Sequence, residues 1–188
     1  MNPHACPGAD ELEERLEIFD EDGNPRGLGP RSRAHREGLW HRAANVFLFR
    51  PDGELLIQRR QSTKDVWPGA WDVSAAEHLH PGETFEQGAI RGLKEELGVT
   101  GVALEPIGDV ARSRLDDEAS GIRDYEFQQS FITTYAGPVS PDPNEVLEAR
   151  TISLAELAAA FRTSPGEYTP WFRQRVDTLN LFELCNRF

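Results

Sequence analysis

The chain has 188 residues, 38% hydrophobic and 28% charged, which suits one domain with a sizeable core. Its 32 acidic and 20 basic residues leave a formal charge of -12. That balance excludes a nucleic-acid duplex as partner, since phosphate backbones call for clustered Lys and Arg, yet admits a small phosphorylated ligand if a divalent metal inverts the potential of an acidic pocket.

In chain order, residues 1–12 read as a loose leader, leaving 13–188 as a single domain. Met1 to Asp10 lacks a basic segment followed by an apolar one, and no apolar run approaches the roughly 18 residues that span a membrane. No membrane association and a cytoplasmic location are therefore expected. Cys6 and Cys185 fit two unreactive thiols, with a bridge between the chain ends as the alternative.

Leu16–Phe19 predicts a short strand, Asp22-Gly23-Asn24 a turn, and Pro25–Pro30 a loop. Ala43–Phe49 and Glu54–Gln58 predict strands joined through Pro51-Asp52-Gly53, a hairpin signal. Trp67-Pro68-Gly69-Ala70-Trp71 interrupts them, and a short extended piece, Asp72–Ala75, follows.

Residues 84–97 predict a helix. Thr84 and Gln87 fit a capping box, Ala89, Ile90, Leu93 and Leu97 make an apolar stripe, and Gly98 supplies the stop. Gly88 and Gly92 inside it each cost about 1 kcal/mol relative to Ala, tolerable where backbone must approach something closely.

Ile122–Tyr135 alternates, with Tyr125, Phe127, Phe131 and Tyr135 on one face and Asp124, Glu126, Gln128 and Ser130 on the other. A loop, Gly137–Pro143, leads to a second capping box at Ser153 and Glu156 and a helix to about Phe161. Thr169-Pro170 opens a final helix reaching about Glu183. Strands mixed with two or three helices, without a regular βαβ repeat, predict an α+β or layered α/β/α fold.

The chemistry centres on the helix. Arg91 and Glu95 lie four apart and share a face, with Glu96 adjacent. Two carboxylates near a helix C-terminus oppose the macrodipole, and a hard cation with oxygen ligands would compensate. An ordinary solvated surface is the other reading of the same pair.

The segment from Glu77 to Val99 resembles the Nudix box, G-x5-E-x7-R-E-U-x-E-E-x-G-U with U a bulky aliphatic residue. Glu83, Arg91, Leu93, Glu95, Glu96, Gly98 and Val99 fall at matching positions. The resemblance implies an α/β/α sandwich with a mixed sheet and a loop–helix–loop, on which Glu95 and Glu96 ligate Mg²⁺ or Mn²⁺. It also implies that Arg91 holds carboxylates, including Glu83. Two positions depart: Glu77 replaces the first glycine, and Gly92 replaces the glutamate after the arginine. Glu77 would restore a metal-binding carboxylate, and Gly92 would open space beside the site.

The flanks resemble the isopentenyl-diphosphate isomerase branch of that superfamily. His35, His41, Gln58-Arg59-Arg60, Lys64, Trp67 to Trp71, Ser74, His78, Glu126 and Thr169-Pro170-Trp171 carry this. The resemblance implies a second metal site at His41, His78 and Glu126, with Asp124 completing the carboxylate pair. His35 is one residue out of register with a third histidine, and Trp171 matches the tryptophan that faces a carbocation. The essential cysteine's position holds Ala76, which carries no proton.

The expected activity is accordingly a Mg²⁺- or Mn²⁺-dependent hydrolase cleaving a small-molecule diphosphate, leaving an isopentenyl skeleton unchanged. Glu95 or Glu96 would be its base, with Glu126 or Glu145 in reserve, and Arg91 would position them. Arg59 or Arg60, one of them pointing inward, and Lys64 would bind phosphate. Trp67 and Trp71 are expected to pack rather than stack on ligand, and Glu145 and Glu148 carry little weight. The alternatives are an isopentenyl-diphosphate isomerase-like enzyme, a silent diphosphate-binding module, and a protein whose acidic helix meets a basic partner.

Overall fold

Alternation along one central strand decides the layering. In the computed structural model, which describes residues 13–118 and 120–184, strand β3 (His41–Phe49) sends Ala44, Val46 and Leu48 to one side and Phe47 and Phe49 to the other. The expected leader, Cys6 and Cys185 lie outside the described residues.

Ahead of β3, β1 (Arg15–Phe19) and β2 (Pro25–Pro30) form an antiparallel two-stranded sheet. The Asp20 carboxylate accepts from the Asn24 backbone N–H at 2.8 Å and holds the turn. Pro25–Pro30 was expected to be a loop. It is a strand because backbone pairing with β1 holds it, with a proline at its first residue where no ladder donor is needed. Helix α1 (Arg31–Glu37) follows directly and stops at Gly38, whose φ of 68° is left-handed.

The main sheet adds β4 (Leu55–Arg60), β5 (Trp71–Asp72), β6 (Ala75–His78), β7 (Glu105–Asp117), β8 (Ile122–Thr134) and β9 (Val146–Ile152). Its order is β5-β4-β3-β8-β7, with β6 paired to β3 and β9 to β4. Strands β3 and β8 run parallel, from His41↔Glu126 to Phe49↔Thr134, while the other pairs are antiparallel. The extended piece expected at Asp72–Ala75 is two short strands, one on β4 and one on β3.

Helix α2 (Phe85–Leu97) covers one face. Its capping box at Thr84 and Gln87 is formed on both sides, and Ala89, Leu93 and Leu97 bury against Val46, Leu48 and Phe131. Helices α3 (Leu154–Thr163), α4 (Pro170–Thr178) and α5 (Leu181–Leu184) cover the other face, where Leu157, Phe172 and Val176 pack on Phe47 and Ile57. The result is an α/β/α sandwich with a mixed sheet. The final helix, expected to reach about Glu183, breaks after Thr178, where Asn180 takes a left-handed φ of 51°. No helix among the described residues is long and apolar enough to cross a membrane.

Strand β8 inverts the usual alternation. Its polar face is buried, with Glu126, Gln128 and Ser130 all under 8% exposed, whereas on the apolar face Phe131 is buried but Tyr125 and Phe127 are only half-buried. Buried polar side chains are costly unless they have partners or a ligand to meet, so this face marks where the site lies.

Candidate active site

The polar face of β8 opens into a cavity of about 530 Å³, bounded by β3, β4, β6 and helix α2. Asn45, Gln58, Ala76, Glu96, Gln128 and Trp171 are among its walls.

At one end, three histidines converge. His41 starts β3 opposite Glu126, His78 ends β6, and His35 comes from α1. One ligating atom each from His35, His41, His78 and Asp124 lies within 4.8 Å of all the others. His35, expected to miss the set by one residue, belongs to it because it sits on a helix. Glu126 Oε1 is 3.3 Å from His78 Nε2 and 3.7 Å from His41 Nε2. His41 Nδ1 faces the Leu39 carbonyl at 2.9 Å, a contact that needs the proton on Nδ1 and leaves the Nε2 lone pair for the cavity.

Charge organises this cluster. Burial opposes the charged form of His78, but hydrogen bonds to Glu126 and Glu14 outweigh it and raise its pKa. Burial likewise opposes the Glu126 carboxylate, yet His78 and His41 hold its pKa below the usual carboxylate range. Burial, helped by the neighbouring charges of His78, His41 and Arg31, depresses His35 to about 3 against the pull of Asp124, so its ring is neutral and free to donate a lone pair.

At the other end lie the carboxylates of α2 and β6. Arg91 donates to Glu83 at 2.9 and 3.0 Å, to Glu95 at 3.1 Å and to the His78 carbonyl at 2.7 Å, and it pairs with Glu77 at 3.3 Å. The Arg91 guanidinium thus ties strand, loop and helix together. Glu96 is buried, accepting from the Ala76 N–H at 3.1 Å and from the Gln58 amide. Desolvation, reinforced by the neighbouring charge of Glu77, pushes its pKa up to about 8. Burial raises Glu77 as well, against Arg91.

Of the two expected phosphate arginines, Arg60 faces the cavity and Arg59 does not. Arg60 pairs with buried Asp72 at 3.3 Å and lies over the Trp171 ring, whereas Arg59 donates to the Gly69 carbonyl. Lys64 lines the cavity in an ion pair with Glu145. Trp171 Nε1 donates to Asp72 at 2.9 Å and turns its ring towards the same space. Trp71 is core, capped by Arg150, while Trp67 and Glu148 lie outside the cavity lining.

Asp72 went unrecognised in the sequence. It anchors Thr169, Trp171 and Arg60 together, and a single acid between Trp71 and Val73 gives no local sign of that.

A NUDIX domain matches residues 39–172 of the chain. The chain belongs to the NUDIX domain family. An isopentenyl-diphosphate Delta-isomerase from Nocardia farcinica is 38% identical over 163 residues, covering 86% of this chain and 92% of the relative. One from Burkholderia multivorans is 33% identical over 171 residues, covering 90% and 95%. A crystal structure of a Deinococcus radiodurans protein superposes with a TM-score of 0.65 at 26% identity, covering 93% of this chain and 98% of that one. Within the NUDIX family, the chain falls in the isopentenyl-diphosphate isomerase-like branch.

These relatives overturn the expected hydrolase. Identities of 33–38% over most of both chains run through proteins named for isomerisation, not for cleavage of a diphosphate. Ala76 had weighed one position against a resemblance that spans the fold. The expectation that an isopentenyl skeleton stays unchanged is withdrawn with it.

The divalent metal implied by the family fits this chain. His35 Nε2, His41 Nε2 and Asp124 Oδ1 are buried without a hydrogen bond among the described residues and face one another. A shared cation satisfies all three.

Glu96 also sets a pH dependence of stability. Its folded pKa of about 8 stands above the ordinary value of 4.5, so its contribution is complete below 4.5 and is lost as pH rises through 8. Glu96→Gln removes that loss. In chelator-treated protein the variant should melt roughly 5–10 °C above wild type at pH 9, on the order of 3 kcal/mol, and show little gain at pH 4.5. Parallel melting curves at both pH values would remove Glu96 from this role.

Proposed function

We propose that this NUDIX protein isomerises a small prenyl diphosphate of the isopentenyl type. One proton joins the terminal alkene carbon, another leaves the carbon next to the diphosphate-bearing one, and the double bond moves between them. The diphosphate stays intact. The observation that carries this reading is buried Glu126, held among the histidines on the same cavity wall system as the Trp171 ring.

Glu126 is the proton carrier built into the chain. Its carboxylate is kept ionised by His78 and His41, which suits it to take a proton from carbon. Trp171, oriented by Asp72, offers a π face to positive charge developing on the tertiary carbon. Arg60 and Lys64 hold phosphate oxygens and keep the reacting carbons at the histidine end. Alanine at 76 leaves the second proton to solvent, so turnover is slow. A bound divalent ion supplies positive charge against the diphosphate. The histidine–carboxylate set suits Mn²⁺ or Zn²⁺, and the all-carboxylate set of Glu77, Glu95 and Glu96 suits Mg²⁺.

Metal-loaded protein should convert isopentenyl diphosphate to the dimethylallyl isomer in deuterated water, with deuterium entering the carbon skeleton. Proton NMR reads both. A skeleton left inert by folded, metal-loaded protein over several days would sink the reading.

A further inference from the structure

The two departures from the box touch each other. A Cβ placed on Gly92 would lie 3.0 Å from the Glu77 Cβ, 3.5 Å from its Cγ and 3.5 Å from Glu96 Oε1. A side chain at 92 needs Glu77 to give way by a few tenths of an ångström, and a glycine at 77 would leave that volume empty. We infer that Glu77 and Gly92 are a reciprocal exchange, in which strand β6 supplies to the box site the carboxylate that helix α2 has given up.

Three observations support the exchange. Arg91 reaches Glu77 at 3.3 Å alongside Glu83 and Glu95, so the transplanted carboxylate is held by the same guanidinium as the box's own. Glu77 and Glu96 both line one cavity, where a cation would offset two like charges. Asn45, opposite Ala76 in the β3–β6 register and 2% exposed, turns toward that cavity an amide nitrogen with no hydrogen bond among the described residues. A buried donor of that kind calls for an oxygen-bearing ligand beside the cation. The exchange keeps the carboxylate count while moving one ligand from a helix to a strand that also carries Ala76 and His78.

The inference rests on membership of the NUDIX family and not on the isomerisation reading, so the test measures metal rather than turnover. Mn²⁺ titrations followed by electron paramagnetic resonance, with melting curves, compare full-length wild type, Glu77→Gln, Glu77→Gly, Gly92→Glu and the Glu77→Gly/Gly92→Glu double variant. Glu77→Gln, which keeps the volume, should weaken one class of Mn²⁺ site at least about tenfold and leave the histidine class unchanged. Gly92→Glu alone should melt below wild type, because its Cβ meets that of Glu77. The double variant should regain Mn²⁺ affinity to within about threefold of wild type and melt above Gly92→Glu. Wild-type Mn²⁺ binding in Glu77→Gln, or a folded double variant that binds no better than Glu77→Gly, would overturn the exchange. Should Glu77→Gly fail to fold, Glu77→Gln decides alone. Loss of isomerisation with Mn²⁺ binding as described would strike only the proposed function.

Discussion

Ala76→Cys should speed conversion of isopentenyl to dimethylallyl diphosphate by about 100-fold, the lower end of what a positioned proton carrier contributes. Ala76 lies on β6 between Ala75 and Glu77, opposite Asn45, and its side chain borders the cavity. A thiol there enters a site already containing Glu77 and Glu96. Its partial burial favours the neutral thiol over thiolate. The introduced group is therefore a proton donor at neutral pH, in the cavity that the ionised Glu126 also lines. Such a pair, one carrying a proton and one lacking it, is what moving a double bond needs. The measurement is the initial NMR rate at saturating substrate, with thiol titration to verify that the cysteine is reduced. An unchanged rate with an accessible thiol would mean that the second proton does not pass through position 76.

Much of this site was legible because its spacing is local. Thr84, Gln87, Leu93, Leu97 and Gly98 fix helix α2 within one stretch of chain, and the box residues ride on it. What stayed hidden depends on tertiary placement. Strand β7 reads as charged and irregular, and most of it is exposed; only its pairing with β8 makes it a strand. His35 stood one residue out of register with the third histidine of the resemblance, but α1 brings it onto the cluster. The alternation of Ile122–Tyr135 was plain, yet it does not say which face goes inward. Here function sends the polar face in, since Asp124, Glu126 and Gln128 line the cavity. The contact between Gly92 and Glu77 crosses from helix to strand, and no count along the sequence shows it.

Glu126→Gln should lower isomerisation by at least about a thousandfold, because it removes the carboxylate proposed to carry the proton. The variant keeps the side chain's shape and its place opposite His41. It also removes the charge that stabilises protonated His78, whose pKa is raised against burial by Glu126 and Glu14. With that partner neutral, burial pulls the His78 pKa downward, a change visible in the imidazole NMR resonances of metal-free protein. The sign also fixes a stability effect. Below the unfolded histidine value of 6.5, wild-type protein gains from the His78–Glu126 pair, and that gain is lost as pH rises through the raised folded value. Glu126→Gln should therefore melt below wild type near pH 6, and the gap should narrow at high pH as far as His78 is concerned. A variant with a lowered His78 pKa but the wild-type rate would show that Glu126 tunes the cluster without carrying the proton. Wild-type values for both would remove it from the site altogether. Loss of rate together with the fall in His78 pKa ties the catalytic proton to the carboxylate that the inverted face of β8 buries.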